Sequence, residues 1–89
     1  MNDPIVAVEE IDLSTCETLA ASLAAPPSGD VVLDCSAVRF IDSSGLRVIV
    51  EARDRLASQQ RALILRRPST VVTRLLEIME MSDQFVVET

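Results

Sequence analysis

Histidine, tryptophan and tyrosine are absent from this 89-residue chain, every basic residue is arginine, and glycine appears only twice. Each absence removes a class of function. Without His there is no Ser-His-Asp or Cys-His catalytic pair and no zinc site of the common Cys/His kind. Without Lys as well, general acid–base work at neutral pH would fall to the carboxylates and two cysteines. The sequence is therefore read as a non-enzyme. Gly29 and Gly45, the only glycines, form no nucleotide-binding loop, so no nucleotide or other cofactor is expected.

Apolar runs stop at four residues, too short for a membrane-spanning helix, and Met1-Asn2-Asp3-Pro4 lacks the basic start of a signal peptide. The expected location is the cytoplasm, without membrane insertion. Cys16 and Cys35 are far apart in sequence and form no C-x-x-C pair, so both read as reduced, small core residues. An excess of acid, 14 carboxylates against 8 arginines, repels phosphodiester backbones. On charge alone, no nucleic-acid partner is expected.

What remains is a foldable aliphatic chain, 48% hydrophobic and 25% charged, long enough for one domain spanning residues 1–89 and too short for two. Ile5 to Ile11 is β-branched and reads as a strand. Ser14-Thr15-Cys16-Glu17 has the form of a capping box, predicting a helix from Thr15 to Ala25 that Pro26-Pro27-Ser28-Gly29 terminates. Val31 to Cys35 is a second strand, and Ser36 to Ile41 an apolar connection. Leu46, Ile49, Val50, Arg53, Leu56 and Ala57 then share one stripe of a helix over residues 43–58, with Arg53 at its edge. Ala62 to Leu65 reads as a strand covered on both faces by helices. Pro68 and Ser69 open a third helix ending near Met81-Ser82, and Phe85 to Glu88 is a last strand. The order β-α-β-α-β-α-β predicts a single small α/β domain, with a four-stranded, mostly parallel sheet and about three helices.

One cluster exceeds a purely structural role. Asp42 or Ser43 can cap the helix that follows, and Gly45 permits close approach of another group. The doubled hydroxyl of Ser43 and Ser44 beside the Asp42 carboxylate would present a phosphate to the helix N-terminus while repelling an acidic surface. Other polar positions read more simply. Glu9, Glu10, Glu51, Asp54, Glu77, Glu80 and Glu88 are expected as solvated surface, Arg66-Arg67 as edge charges, and Met79-Glu80-Met81 as core and helix end.

The run from Val31 to Leu46, with its strand, apolar connection and Asp42-Ser43-Ser44-Gly45-Leu46, resembles the signature of STAS domains of the bacterial anti-sigma factor antagonist type. Glu9-Glu10-Ile11-Asp12-Leu13-Ser14-Thr15 resembles the family's Gly-Glu-Leu-Asp segment before its first helix, with Glu9 replacing its glycine. The resemblance extends through Leu63-Ile64-Leu65, the Pro68-Ser69 turn and Phe85-Val86-Val87. It implies a protein-binding module that sequesters an anti-sigma factor, commonly a serine kinase of the histidine-kinase-like ATPase type.

By the same resemblance Ser43 is the phosphoacceptor, surrounded by Asp42, Ser44, Gly45 and Asp12, with a phosphatase reversing the switch. Leu46, Arg47 and Val50 are implied as partner contacts; Arg47 stands where the family often has a small residue. Relative to the family the chain is expected to be shortened at both ends, leaving a sheet edge that a homodimer would cover. The family also implies an alternative, a STAS subunit docking on the ATPase of a lipid-transport ABC complex, or a module in a chemotaxis or stress-signalling assembly.

Overall fold

The computed structural model describes residues 3–89. Four short strands, β1 (Ile5–Val6), β3 (Val31–Asp34), β5 (Leu63–Arg66) and β6 (Val86–Glu88), form an all-parallel sheet in the order β1-β3-β5-β6. Two more, β2 (Glu10–Ile11) and β4 (Phe40–Ile41), pair in parallel as a separate ribbon. Three α-helices, α1 (Cys16–Ala24), α2 (Ser43–Ser58) and α3 (Thr70–Ile78), and a short 3-10 turn at Ser82–Gln84 complete the described residues. This is the expected α/β class and order, with an additional two-stranded element.

That ribbon corrects the reading of residues 5–11 as one strand. Ala7 still donates to the Asp34 carbonyl (3.0 Å), but the Glu9 carbonyl accepts from Arg39 (2.7 Å) and Phe40 (3.2 Å). The chain leaves the main sheet after Ala7 and becomes the partner of the supposed connection 36–41. Its imperfect alternation has a physical cause, because residues on either side of the bend answer to different sheets.

The Ser14–Glu17 capping box does not form. Thr15 is the N-cap of α1 and makes no side-chain cap bond. Asp12 intervenes: its Oδ1 accepts from the Ser14 amide (2.9 Å) and the Ser14 hydroxyl (2.6 Å). An ionised carboxylate two residues upstream is a stronger acceptor than anything the helix offers Ser14. The result is a hydrogen-bonded loop in which Thr15 Oγ1 also accepts from the Asp12 amide (3.0 Å) and donates to the Glu10 carbonyl (2.9 Å).

Residues 43–58 form the expected helix, and Gly45, Leu46, Ile49, Ala52 and Leu56 are its buried positions. Ala57 is exposed, since the stripe turns toward Ala52 instead. On the sheet, Val31, Leu33, Leu63 and Leu65 are buried against the helices, whereas Val32 and Ile64 on the opposite face are half-buried and Val86 is exposed. One face of β5 is thus fully covered and the other only partly, a correction to the two-sided covering expected. Cys35 and Phe85 join the same core, while Cys16 is half-buried. Arg53 lies over the Phe85 ring at 4.9 Å, extending the stripe with a cation–π contact.

The third helix ends at Ile78, three residues before the expected boundary. Glu80 takes a left-handed φ of 58°, its amide donates to the Glu77 carbonyl (3.1 Å), and the Met81 amide donates to the Leu76 carbonyl (2.8 Å). These two bonds are a Schellman closure without its usual glycine. Its consequence is that Met79 is exposed rather than core, while Met81 turns back toward the domain.

Candidate functional site

Asp42 begins the site with an extended backbone (φ −111°, ψ −175°) and caps α2, its Oδ1 accepting from the Gly45 amide at 3.1 Å. The Asp42 amide donates to the Ile11 carbonyl at 3.2 Å, and Ile11 pairs with Ile41 across the β2–β4 ribbon. The ribbon therefore holds the start of α2 against the Asp12 loop. Gly45 is buried here, and a Cβ added to it would lie 2.8 Å from the Ile11 carbonyl oxygen. Only glycine allows this approach.

Ser43 occupies the first helical position and is exposed; Ser44 is half-buried. Beyond them Leu46 is buried, Val50 is half-buried and Arg47 is exposed, its Nε 3.5 Å from Glu51 one turn later. Exposed on both sides, that pair holds Arg47 only weakly.

Two clefts flank Arg47. One, of about 230 Å³, is predominantly apolar and is lined by Ser43, Leu46, Val50, Met79 and Met81 along with the Arg47–Glu51 pair. The other, of about 180 Å³, is lined by Leu13, Cys16, Ser44 and Val48 and shares the same ion pair. Leu46 contributes as floor rather than as a protruding contact. Leu13, with 77% of its surface exposed, stands beside the second cleft.

Asp42 to Val50 and the Asp12 loop are the positions expected from the sequence; Leu13, Cys16, Met79 and Met81 join them in the fold. Leu13 had a detectable signal, an apolar residue between the two polar members of the Asp12–Ser14 turn. The methionines had none, because their placement follows from the early closure of α3.

Asp12 is committed to its own loop. The Ser14 hydroxyl, above all, lowers its pKa, with the Ser14 and Thr15 amides acting in the same sense against a desolvation penalty. Asp34 forms a second carboxylate centre, at the end of β3. Its Oδ1 accepts from the Ser36 hydroxyl (2.7 Å) and amide (2.9 Å), and its Oδ2 lies 2.8 Å from the Arg67 guanidinium. Ser36 foremost, then Arg67, hold this carboxyl well below the usual range. Arg66 pairs in turn with Glu88, so both arginines serve ion pairs at the sheet end.

Among the described residues, no group of three or more Cys, Asp or Glu side chains is placed to hold a metal. Nor is any helix among them long and apolar enough to cross a membrane.

A family model described as the STAS domain matches residues 6–89. No curated protein matches the chain. With the family match covering all but the first few residues, and a parallel sheet flanked by three helices beneath it, the chain belongs to the STAS domain family.

Proposed function

We propose that this domain is an anti-sigma factor antagonist, a binding module that sequesters an anti-sigma factor with serine-kinase activity and is released when Ser43 is phosphorylated. The observation that carries this reading is the position of Ser43, exposed at the first residue of α2 on the rim of the Leu46–Val50–Met79–Met81 cleft. A phosphate there brings roughly two negative charges to the edge of an apolar contact surface, beside the capping Asp42 carboxylate. The helix N-terminus tolerates that charge within the domain, whereas a packed partner must desolvate it. Local acceptance with loss of partner affinity is the property a reversible switch needs. Arg47, exposed between the two clefts, would lie inside the interface and help select the partner.

A pull-down from the native host compares wild type, Ser43→Ala and Ser43→Asp, followed by titration of the recovered partner. Wild type and Ser43→Ala should retain a histidine-kinase-like ATPase or other anti-sigma factor, and Ser43→Asp should bind it about 1–3 kcal/mol more weakly. Equal affinities of all three would remove Ser43 from the mechanism. Recovery of an ABC-transporter ATPase by all three would assign the domain to a transport complex and leave Ser43 as a helix-start residue.

A further inference from the structure

At the opposite end of the sheet order from β6, β1 has a neighbour on one side only among the described residues. Its register with β3, Ile5 to Leu33 and Val6 to Asp34, and the bond from the Ala7 amide to the Asp34 carbonyl (3.0 Å) fix which groups face inward. Ile5 and Ala7 bond toward β3; the amide and carbonyl of Val6 therefore point outward, and Val8 follows just beyond the end of β1. Pro4, the preceding outward position, has no N–H to offer, so β1 itself presents its outward donor at Val6. Both side chains are open to solvent, Val6 at 69% and Val8 at 50%.

Beside this edge lies a cleft of about 270 Å³ between β1 and α1. Ile5, Ala7 and Leu19 give it an apolar wall, and Ser14, Thr18 and Ser22 a hydroxyl rim. It shares no lining residue with the two clefts around Arg47. An extended segment hydrogen-bonded to Val6 would project alternate side chains into it, because side chains on neighbouring strands share a face.

Charge selects the occupant. Asp3, Glu9, Glu10 and Glu17 lie on the segment that bounds the edge, and among the described residues the ion pairs that oppose them come from Arg39, 3.6 Å from Glu9 and 3.9 Å from Glu10. A second copy docked on the same edge would bring an identical excess of carboxylates, Asp3, Glu9, Glu10 and Glu17, against this one. Like charges juxtaposed at an interface are destabilising. A basic segment gains where a second copy loses.

We propose that the outer edge of β1 is a docking site for an extended segment of a partner protein, basic in net charge, with alternate β-branched or other medium-sized apolar residues entering the cleft under α1. The mode is strand addition, with main-chain bonds giving affinity and the cleft giving selectivity.

The test uses random peptides displayed on phage, selected on the folded wild-type domain and on two variants. Val6→Pro removes an outward N–H without touching the ladder to β3, and Thr18→Tyr fills the cleft from an exposed helix position. Thermal melts establish that both variants fold. Enriched sequences should be basic, with apolar residues at every second position, and their enrichment should fall about tenfold or more on either variant, through one lost hydrogen bond on Val6→Pro and through the blocked cleft on Thr18→Tyr. An enriched peptide, synthesised, should slow hydrogen exchange at the Val6 amide. Absence of enrichment, enriched peptides of acidic or patternless sequence, or enrichment indifferent to both substitutions would overturn the proposal. Slowed exchange at Val6 on raising protein concentration alone would give the edge to a second copy and overturn the assigned partner.

Discussion

The α-carbon of Gly45 faces Ile11 so closely that a single added methyl group would stand 2.8 Å from the Ile11 carbonyl oxygen and well inside contact distance of its Cγ2. Ile11 is completely buried and its carbonyl already accepts from Asp42. The obstructing atom is backbone within a paired ribbon, so it has little freedom to yield. This contact joins the start of α2 to the loop carrying Asp12.

Gly45→Ala should consequently destabilise the domain by about 1–3 kcal/mol, the usual range for overpacking a tight site. Alanine's better helix propensity offsets about 1 kcal/mol at most in a helix interior, and less at the first turn. Urea unfolding should show a lower midpoint with an unchanged slope. An unchanged midpoint would mean that α2 can shift away from the ribbon at no cost.

Glu80→Gly should act in the other direction. Glu80 is exposed and holds a φ of 58° after α3, where a side chain strains the backbone and glycine does not. Relief of that strain, less the greater chain entropy of glycine when unfolded, leaves a gain of about 0.5–1 kcal/mol. The thermal midpoint should rise by a few degrees for a domain of this size. Gln60, with φ 60° after α2, offers an independent repeat of the same experiment.

These left-handed helix ends mark the limit of what the residues disclosed. The helix at 43–58 was legible because its start combines Asp42 with a strong apolar stripe, and the strands at 31–34 and 63–66 because their apolar runs are bounded by turn residues and charge. The end of α3 was not, since a Schellman closure is normally signalled by glycine and here stands on glutamate. The β2–β4 ribbon was hidden for a different reason. Its two pairs, Glu10–Phe40 and Ile11–Ile41, are too short to create a pattern, and only the tertiary fold brings them together. Within the candidate site the same division holds: Asp42 to Val50 are adjacent in sequence, whereas Met79 and Met81 arrive from the closure that follows α3.

The two cysteines should differ sharply in reactivity. Burial, with a smaller contribution from the Asp34 charge, pushes the Cys35 thiol up to about 12, so almost no thiolate exists at neutral or mildly alkaline pH. Cys16 is half-buried and lines the cleft beside Ser44 and Arg47. Iodoacetamide at pH 8 should modify Cys16 first and leave Cys35 intact until denaturant is added, as peptide mass spectrometry would read. Equal rates at both sites would show that the core around Cys35 opens readily.

Acid should expose the work of Asp34. Its folded-state pKa lies below the unfolded value of about 3.9 because the carboxylate, not the acid, accepts from Ser36 and pairs with Arg67. A depressed pKa means that the unfolded chain binds the proton more readily. The resulting stability is fully present above about pH 4 and is lost progressively as pH falls toward the folded-state value. Asp12, lowered by its Ser14 and Thr15 bonds, contributes with the same sign. Asp34→Asn should thus be less stable than wild type at pH 7, and the gap should narrow on acidification below pH 4. Arg67→Ala should show a smaller effect in the same direction, since the two Ser36 bonds survive it. Urea unfolding at a series of pH values gives both curves. Parallel curves for wild type and Asp34→Asn from pH 7 to pH 2 would show that the Ser36 and Arg67 contacts do not couple protonation of this carboxylate to folding.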